Sequence, residues 1–409
     1  MANNVLNKAK KAKHDEFYTQ KWDIEQELTR YRNSLTGKAI YCNCDDPITS
    51  RFWKYFYRQF GFLQLKQLIA THYNMDGSPS YALIYRGGSD AAPNFDENVE
   101  KVQLKGNGDF RSDECIEYLK QSDVVVTNPP FSLFGEFVKQ LMDYNKKFVI
   151  WGNQNAITYK EFFPLLMHNK VWIGGIANKT CVFRIPNNYP KYDKQITEEK
   201  HDGNHYAKVP AISTFTNLPV QRPTDQVVVF EHFDFAPHPA YDNYPAFEVS
   251  KVEDIPADLE VEADIDSDNL QGWIKQYKND LTVLSDDGTV AHIKVKRPIY
   301  GVPITFMTKY NPSSIIENHN LGKEFDILGL ANGITWNSIN KVDDFKEYKN
   351  AKAISPKGKI SSGGKINTHA NYVIDNPTGT YYTANNANGK LKSTYARILI
   401  RVKPNITKF

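Results

Sequence analysis

Apolar and polar positions along the first 150 residues alternate in a way that predicts strands and helices in turn. Continuous apolar runs bounded by turn residues are typical of buried strands, whereas apolar residues recurring every three or four positions are typical of helices. The predicted strands are 39–44, 65–73, 81–85, 123–127 and 147–151. The predicted helices are 49–60, 112–120 and 134–144. Such alternation predicts an α/β fold with a largely parallel sheet and crossover helices.

Strand-like segments dominate after residue 151, so we expect this end of the sheet to be antiparallel. The predicted strands are 171–173, 181–185, 212–215 and 227–230. A run of eight acidic residues without a base, from Glu253 to Asp268, marks the expected domain boundary, and an ordered acidic surface loop is the alternative. We therefore expect an N-terminal basic segment at 1–36, a first domain at 37–255 and a mixed α+β region at 256–409.

The mixed α+β region has its own pattern. We predict a helix at 273–278, strands at 291–295 and 304–307, and a mobile basic loop at 352–390, which is rich in Ser, Gly, Asn and Lys. Residues 341–409 hold 13 basic and 4 acidic side chains, whereas the net charge of the whole chain is only +3. This placement of charge suggests a polyanion as the partner of the C-terminal region, and ordinary solvated faces are the alternative.

Composition narrows the class of protein. The chain has 409 residues, 41% hydrophobic and 24% charged, values typical of a soluble protein of two domains. Its apolar runs are too short for a membrane span or a signal peptide, which predicts a cytoplasmic location. Four scattered cysteines are too few for a disulfide framework in a chain of this length.

The most specific motif is Asn128, Pro129, Pro130 and Phe131, directly after the apolar strand at 124–126. Ligands of open α/β sheets bind beyond the carboxyl ends of the strands. The Asn128 side-chain oxygen and the Pro129 carbonyl can each accept one N–H of a planar amine, which directs the nitrogen lone pair toward a methyl donor. Because prolines have fixed φ and no N–H, the loop is rigid, and Phe131 is placed to stack on a base. The motif therefore predicts methyl transfer to an aromatic amine.

Together with other segments, this loop resembles the EcoRI-type adenine-specific DNA methyltransferases over about residues 8–330. The resemblance implies a Rossmann-like S-adenosylmethionine-dependent methyltransferase sheet, with catalysis at 37–255 and a C-terminal mixed α+β DNA-recognition region at 256–409. It also assigns 213–218 to the target-base pocket. The catalytic residues that it implies are Asn128, Pro129, Pro130 and Phe131. The cofactor-binding residues that it implies are Phe17, Tyr18, Thr19, Cys44, Asp45, Asp46, Pro47, Asp109, Phe110 and Asn128.

Two features depart from the wider class of methyltransferases that use S-adenosylmethionine. The usual glycine-rich turn after the first strand is replaced by Cys44, Asp45, Asp46 and Pro47, as in the EcoRI-type group, and either acid can face the cofactor. The ribose-binding acid expected after the second strand is missing from 71–74.

We therefore expect an enzyme that flips an adenine out of double-stranded DNA and methylates its N6 nitrogen. A monomer is expected, without membrane association, and a cognate restriction endonuclease in the same system is a candidate partner. Basic residues beyond 255 are expected to contact phosphates, among them Lys294, Lys296, Arg297, Lys357, Lys359, Lys365 and Lys390. The alternatives are a methyltransferase for RNA guanine or a protein glutamine amide, and a DNA-binding module without activity.

Metal sites are not expected. Cys42 and Cys44 have C-x-C spacing instead of the usual C-x-x-C, and their potential partners His201 and His205 lie in a polar segment. The acidic run at 264–268 resembles the start of a calcium loop but lacks its later Gly and Glu.

Overall fold

The computed structural model describes residues 18–44, 46–74, 77–88, 98–185, 204–222, 240–241, 244–249, 251–252, 255–256, 260–313, 325–331 and 396–403, and the backbone alone at 196–199, 352–354, 360–362, 372–374 and 381–383. The chain forms two compact units. The first comprises Met1–Asp225 with Asn311–His319, and the second comprises Gln226–Tyr310 with Asn320–Phe409. The functional boundary that the sequence predicts at 255/256 stays a prediction.

The first unit contains a mixed sheet, in which the described residues form eleven strands. These are β1 Tyr18–Thr19, β2 Ala39–Cys42, β3 Gln67–Thr71, β4 Tyr81–Tyr85, β5 Val99–Gln103, β6 Val124–Thr127, β7 Lys147–Asn153, β8 Trp172–Ile173, β9 Lys179–Ile185, β10 Ile196–Glu199 and β11 His205–Thr216. The order across the sheet is β1-β9-β11-β7-β6-β2-β3-β4-β5, and β8 and β10 also pair with β11.

Only the centre of this sheet is parallel. β2 pairs in parallel with β3 and β6, and β6 pairs in parallel with β7. β11 joins β7 and β9 antiparallel, which confirms the antiparallel end predicted after residue 151. β4 and β5 are also antiparallel to their neighbours, so the prediction of a largely parallel sheet is wrong outside the centre. The reason lies in the connections: only nine residues, 72–80, join β3 to β4, whereas parallel neighbours need a crossover of about a dozen residues or more.

Helices connect and cover the parallel strands. They are α1 Lys21–Leu28, α2 Arg32–Leu35, α3 Arg51–Gln59, α4 Asp113–Gln121, α5 Phe134–Asp143 and α6 Phe163–Met167. α3 is the crossover from β2 to β3, and α5 is the crossover from β6 to β7. The Ser50 hydroxyl caps α3 by accepting the Phe52 N–H, while Phe52, Trp53 and Phe56 bury one face of the helix. This aromatic face fixes α3 on the sheet.

The second unit holds two helices, α7 Leu270–Tyr277 and α8 Phe306–Lys309, and three smaller sheets among its described residues. The first sheet has the order β12-β16-β22-β17, from Phe247–Glu248, Ile299–Pro303, Arg397–Val402 and Phe325–Ala331. The second has the order β13-β15-β14, from Glu260–Asp266, Val290–Lys296 and Leu281–Asp286. The third has the order β19-β18-β20-β21, from Ile360–Ser362, Lys352–Ile354, Tyr372–Ile374 and Tyr381–Thr383.

Several predictions for the later part of the chain were wrong. An ordered surface loop in the acidic run is wrong for 260–266, which forms β13, and the partner β15 places bases opposite its acids. The predicted loop at 352–390 contains β18, β19, β20 and β21. The predicted strand at 304–307 ends in α8 instead. The predicted strand at 227–230 lies outside the described residues. None of the helices in the described ranges is long and apolar enough to cross a membrane.

Candidate active site

The carboxyl ends of β2 and β6 are joined by one side-chain hydrogen bond. The Thr127 hydroxyl, at the end of β6, donates to the main-chain carbonyl of Asn43, just beyond β2. Thr127 is fully buried, and Asn128 follows it with 9% of its surface exposed. The loop formed by Asn128, Pro129, Pro130 and Phe131, the 128–131 loop, therefore starts beside the segment from Asn43 to Ser50, the 43–50 loop.

The 128–131 loop ends in a short 3-10 helix. The Pro130 carbonyl accepts the Leu133 N–H at 3.0 Å, which closes the turn of Phe131–Leu133. Phe131 is 4% exposed and belongs to the hydrophobic core. Protein covers most of the Phe131 surface, which leaves little of the ring open to a ligand. The stacking of Phe131 on a target base stays a prediction.

Asp46 organises the 43–50 loop. Its Oδ1 accepts the Ile48 N–H at 3.1 Å and the Tyr81 hydroxyl at 2.9 Å, and its Oδ2 accepts the Thr49 hydroxyl at 3.0 Å. Burial and this bond to Asp46 raise the pKa of Tyr81, so the phenol stays protonated. Both oxygens of Asp46 are thus engaged in holding the loop on β4. Asp45 lies outside the described residues, and the choice between the two acids stays a prediction.

Two residues of the predicted N-terminal cofactor motif, Tyr18 and Thr19, form the edge strand β1. Tyr18 pairs with Arg184 and Thr19 pairs with Phe183 of β9, and α3 packs against this strand. The Arg184 guanidinium lies 4.7 Å from the centre of the Tyr18 ring, which is a cation–π contact. Phe17 lies outside the described residues.

The loop from Gly106 to Ser112, the 106–112 loop, lies against the end of β3. Gly108 has φ +81°, and a Cβ atom added there would lie 1.8 Å from the His72 carbonyl oxygen. Nearby, the Tyr41 and Thr71 hydroxyls share a hydrogen bond of 2.8 Å that joins β2 to β3. The close approach at Gly108 places Asp109 beyond the same edge of the sheet as the other loops.

Asp109 and Phe110 are both held by protein contacts. The Asp109 carboxylate forms an ion pair of 2.6 Å with Arg111, whose hydrogen bond lowers the pKa of that carboxyl. Phe110 is 6% exposed and meets Phe137 edge to face at 5.1 Å between ring centres. These contacts fix the loop, and the contact of Asp109 with a cofactor amino group stays a prediction.

Two buried oxygens near these loops have no hydrogen-bond partner within the described part of the chain. They are Thr19 Oγ1 and Asn43 Oδ1, on residues that are each 2% exposed. A buried polar atom without a partner costs roughly 1–3 kcal/mol, and a bound ligand with N–H or O–H groups removes that cost. Each of the two oxygens could therefore accept an N–H or O–H group of a polar ligand.

A family model described as "Adenine-specific methyltransferase EcoRI" matches residues 5–268. The chain belongs to this family. Type II methyltransferase M.EcoRI of Escherichia coli is 39% identical over 351 residues, covering 81% of this chain and 90% of the relative. Type II methyltransferase M.MpnI of Mycoplasma pneumoniae is 41% identical over 258 residues, covering 62% and 78%. No solved structure matches the chain significantly.

The match to the EcoRI family covers all the residues that the sequence assigned to catalysis and cofactor binding. A third relative, Type II methyltransferase M.MgeORF184P of Mycoplasma genitalium, is 39% identical over 312 residues, covering 75% of this chain and 83% of the relative. The resemblance recognised from the sequence is therefore confirmed, and the protein is an adenine-specific methyltransferase. Membership of this family argues against a DNA-binding module without activity.

The segment at 213–218, predicted to line the base pocket, begins in β11 and packs within the sheet of the first unit. The Ser213 hydroxyl accepts the Asn178 N–H at 3.0 Å, and the Phe215 ring lies 5.0 Å from that of Phe162. Thr214 donates to the carboxylate of Glu27 on α1 at 2.8 Å. This part of β11 therefore supports the sheet, and its contact with a target base stays a prediction.

Sequence reasoning missed Glu27, which is fully buried. Its Oε1 accepts hydrogen bonds of 2.8 Å from the Tyr31 hydroxyl, the Gly175 N–H and the Thr214 hydroxyl. A glutamate in a polar helix is normally solvated, so its surroundings in the chain gave no signal. The paired Gly174 and Gly175 are the one usable sign, because a Cβ at Gly174 would lie 2.4 Å from the Glu27 carboxylate.

Two basic residues that were expected to contact DNA are already paired with acids. Lys294 contacts Glu260 and Glu262, and Arg297 contacts Asp280. Their positive charges are therefore compensated within the second unit. Lys357, Lys359, Lys365 and Lys390 lie outside the described residues. Within the described ranges no cluster of His, Cys, Asp or Glu is arranged to hold a metal ion.

Proposed function

We propose that this EcoRI-family protein transfers a methyl group from S-adenosylmethionine to the N6 nitrogen of an adenine flipped out of double-stranded DNA. The observation that carries the proposal is the hydrogen bond from Thr127 to the Asn43 carbonyl. It brings the loop predicted to bind the amine next to the loop predicted to bind the methyl donor. The relatives are Type II methyltransferases, which agrees with DNA as the substrate.

In this proposal Asn128 and Pro129 direct the nucleophile. The Asn128 side-chain oxygen and the Pro129 carbonyl accept the two N–H groups of the adenine amine, which shifts its lone pair out of the ring and toward the methyl carbon. A new N–C bond then forms as the S–C bond breaks, and one amine proton leaves to solvent. When bound, S-adenosylmethionine supplies the electrophilic methyl group on its cationic sulfur. Alignment of the reacting atoms contributes much of the rate.

The cofactor would be held by residues at the carboxyl edge of the parallel strands. Thr19 Oγ1 and Asn43 Oδ1 are buried acceptors that suit its ammonium and ribose hydroxyl groups. Asp109 is the proposed acceptor for its adenine amino group, with Phe110 packed on its ring. The remaining proposed contacts are Phe17, Tyr18, Cys44, Asp45, Asp46, Pro47 and Asn128. The four parallel strands and their crossover helices support a Rossmann-like arrangement for this part of the chain.

DNA sequence is proposed to be read by residues 256–409, because the catalytic loop contacts one base only. Extruding that base costs a few kcal/mol, which contacts within the pocket offset. We further propose that the enzyme acts as a monomer, with a cognate restriction endonuclease in the same system. The adenine-specific family does not favour the alternative substrates, RNA guanine and a protein glutamine amide.

The test incubates the purified protein with radiolabelled S-adenosylmethionine and mixed-sequence duplex DNA, followed by nucleoside analysis. We expect label in N6-methyladenine. The same DNA with all its adenines already N6-methylated is the matched control and should take up no label. If the cofactor binds but no DNA nucleoside is labelled, the proposed function is wrong and an RNA or protein amine becomes the leading substrate.

A further inference from the structure

We propose that a set of four cations on α3 and β9 contacts the phosphate backbone of the substrate DNA. The set comprises Arg51, Lys54 and Arg58 of α3 with Arg184 of β9, here named the α3 basic cluster. The proposal rests on the proposed function, because it takes duplex DNA as the substrate. It assigns to the first unit a DNA contact that the sequence had placed only beyond residue 255.

The three α3 residues share one side of the helix. Positions i, i+3 and i+7 lie along one face, and the distance from Arg51 to Arg58 along the axis is about 10 Å. The opposite side of α3 carries Phe52, Trp53 and Phe56, which are fully buried. Because the aromatic side faces the core, the basic side faces outward, and Arg51 and Arg58 are exposed.

Arg184 adds a fourth charge to this face. It pairs with Tyr18 of β1, and β1 packs against α3. Burial first, and then the charges of Arg51 and Arg184, lower the pKa of Lys54. Asp46 opposes this effect, but its carboxylate is bonded to Thr49 and Tyr81. The cluster is therefore a site of repulsion between like charges.

No acid lies within ion-pair distance of the four cations in the described part of the chain, as the ion pairs found there involve other residues. Exposed lysines on other helices of the first unit behave differently: Lys120 of α4 pairs with Glu117, and Lys139 of α5 pairs with Asp143. Like charges held together are destabilised until counter-charge arrives. Duplex DNA carries one negative charge per about 1.7 Å of axis, so it supplies several phosphates over the length of the cluster.

The location of the cluster also suits DNA. Arg51 directly follows Ser50, the last residue of the 43–50 loop. The first residue of that loop, Asn43, accepts the hydrogen bond from Thr127 that precedes the 128–131 loop. The cluster therefore begins at the edge where the flipped adenine is proposed to enter, and strand phosphates next to that base pass within reach of α3.

The test compares two triple variants that lose the same three positive charges. Arg51→Gln, Lys54→Gln and Arg58→Gln are combined in one, and Lys120→Gln, Lys139→Gln and Lys147→Gln in the control. Fluorescence anisotropy with a labelled mixed-sequence duplex measures Kd between 50 and 200 mM salt. We expect the cluster variant to bind ~10- to 100-fold more weakly at low salt, with the slope of log K against log salt reduced by about 0.9 for each phosphate that the variant no longer neutralises. The control should stay within about twofold of the unaltered protein, because its lysines belong to α4, α5 and β7 instead of to the cluster.

Thermal melting and S-adenosylmethionine affinity are measured on the same samples. If the triple variant melts early, Arg58→Glu alone replaces it, because Arg58 is exposed at the end of the helix. An unchanged slope, equal weakening in the control, or loss of cofactor affinity without loss of DNA affinity overturns the cluster assignment alone. Absence of DNA binding by the unaltered protein overturns the proposed function together with the cluster.

Discussion

At the scale of single residues, the candidate site depends on contacts between side chains and the main chain of distant segments. Thr127 and Asn43 are 84 positions apart, yet one hydrogen bond joins them at the ends of β6 and β2. Asn128 follows in the chain, so its side chain starts from a point that the sheet determines. The position of Asn128, the proposed acceptor for the adenine amine, is therefore set by the sheet rather than by the loop alone.

Replacing Asn128 with Ala removes one of the two proposed acceptors for the adenine amine. We expect the rate of methyl transfer to fall by about 10²–10³, the usual effect of removing one aligned hydrogen-bonding group at a reacting centre. DNA affinity should stay within about twofold, because phosphate contacts supply most of it. Single-turnover methylation and anisotropy on the same preparation measure both quantities. Full activity in this variant would exclude a catalytic role for Asn128.

Replacing Thr127 with Val keeps the shape of the side chain but removes the hydroxyl that bonds the Asn43 carbonyl. Leaving a buried carbonyl without its partner costs roughly 1–3 kcal/mol of unfolding free energy. We also expect KM for S-adenosylmethionine to rise several-fold, because the two loops are no longer joined. Denaturant unfolding and steady-state kinetics provide the measurements.

The matched control for this change is Thr216→Val. Thr216 is also fully buried, and its hydroxyl donates to the Phe148 carbonyl at 2.7 Å. Phe148 lies at the start of β7, whereas Thr127 and Asn43 lie at the carboxyl ends of the parallel strands. Thr216→Val should cost at least as much stability, because the Thr216 hydroxyl also accepts the Leu218 N–H at 3.0 Å, with no change in KM for S-adenosylmethionine. A similar KM in both variants would mean that the Thr127 bond stabilises the fold without organising the site.

The sequence predicted the site best where the signal is local. The four residues of the 128–131 loop directly follow an apolar strand, so their position in the fold could be inferred, while their role in the chemistry stays a prediction. The engagement of Asp46 by Tyr81 spans 35 positions, and that of Glu27 by Thr214 spans 187. No local pattern encodes pairs so far apart in the chain. The turn-forming role of Asp46 and the burial of Glu27 were therefore not predictable.

At the scale of elements, the 106–112 loop lies so close to the end of β3 that only glycine fits at position 108. Gly108→Ala would place a methyl group 1.8 Å from the His72 carbonyl oxygen, in addition to the strain of φ +81°. The loop would have to move, taking Asp109 and Phe110 with it. We expect a loss of stability well beyond roughly 1–2 kcal/mol, the cost of the backbone conformation alone, and loss of S-adenosylmethionine binding by calorimetry.

Gly288→Ala is the control for Gly108→Ala, because it adds the strain of a positive φ without a steric clash. Gly288 has φ +83°, and nothing lies within 4 Å of an added Cβ atom. This variant should lose only roughly 1–2 kcal/mol and bind the cofactor normally. Equal effects of the two substitutions would show that the close approach of the 106–112 loop does not position the site.

Element types were predictable for the central strands and their crossover helices, because apolar runs and helical spacing alternate there. The relative direction of neighbouring strands was harder to predict from the sequence. β4 runs antiparallel to β3 because the segment between them is too short for a crossover helix, and β5 was missed because its side chains are mostly exposed. In the C-terminal region, β18–β21 are three residues each, shorter than periodicity can detect.

At the scale of the whole molecule, the net charge of +3 is too small to hold DNA without local concentrations of positive charge. The α3 basic cluster is one such concentration, and residues 341–409, with 13 basic and 4 acidic side chains, form the other. In the first, no acid lies within ion-pair distance of the cations in the described part of the chain, whereas Lys294 and Arg297 of the second unit are paired. For binding DNA, the distribution of positive charge along the chain therefore matters more than the net charge of the protein.

If both concentrations contact the same duplex, their contributions to the salt dependence should add. We expect Lys357→Gln, Lys359→Gln and Lys365→Gln together to reduce the slope of log K against log salt by about 0.9 for each phosphate left without its lysine, and the combination with the α3 triple variant to give the sum of the two reductions. Anisotropy titrations of the two triple variants and the sextuple variant from 50 to 200 mM salt provide the comparison. A sextuple variant no weaker than one triple variant would mean that only one of the two regions contacts DNA in the measured complex. Additive slopes would instead require the duplex to engage both regions at once, so that sequence reading and methyl transfer act on one bound DNA.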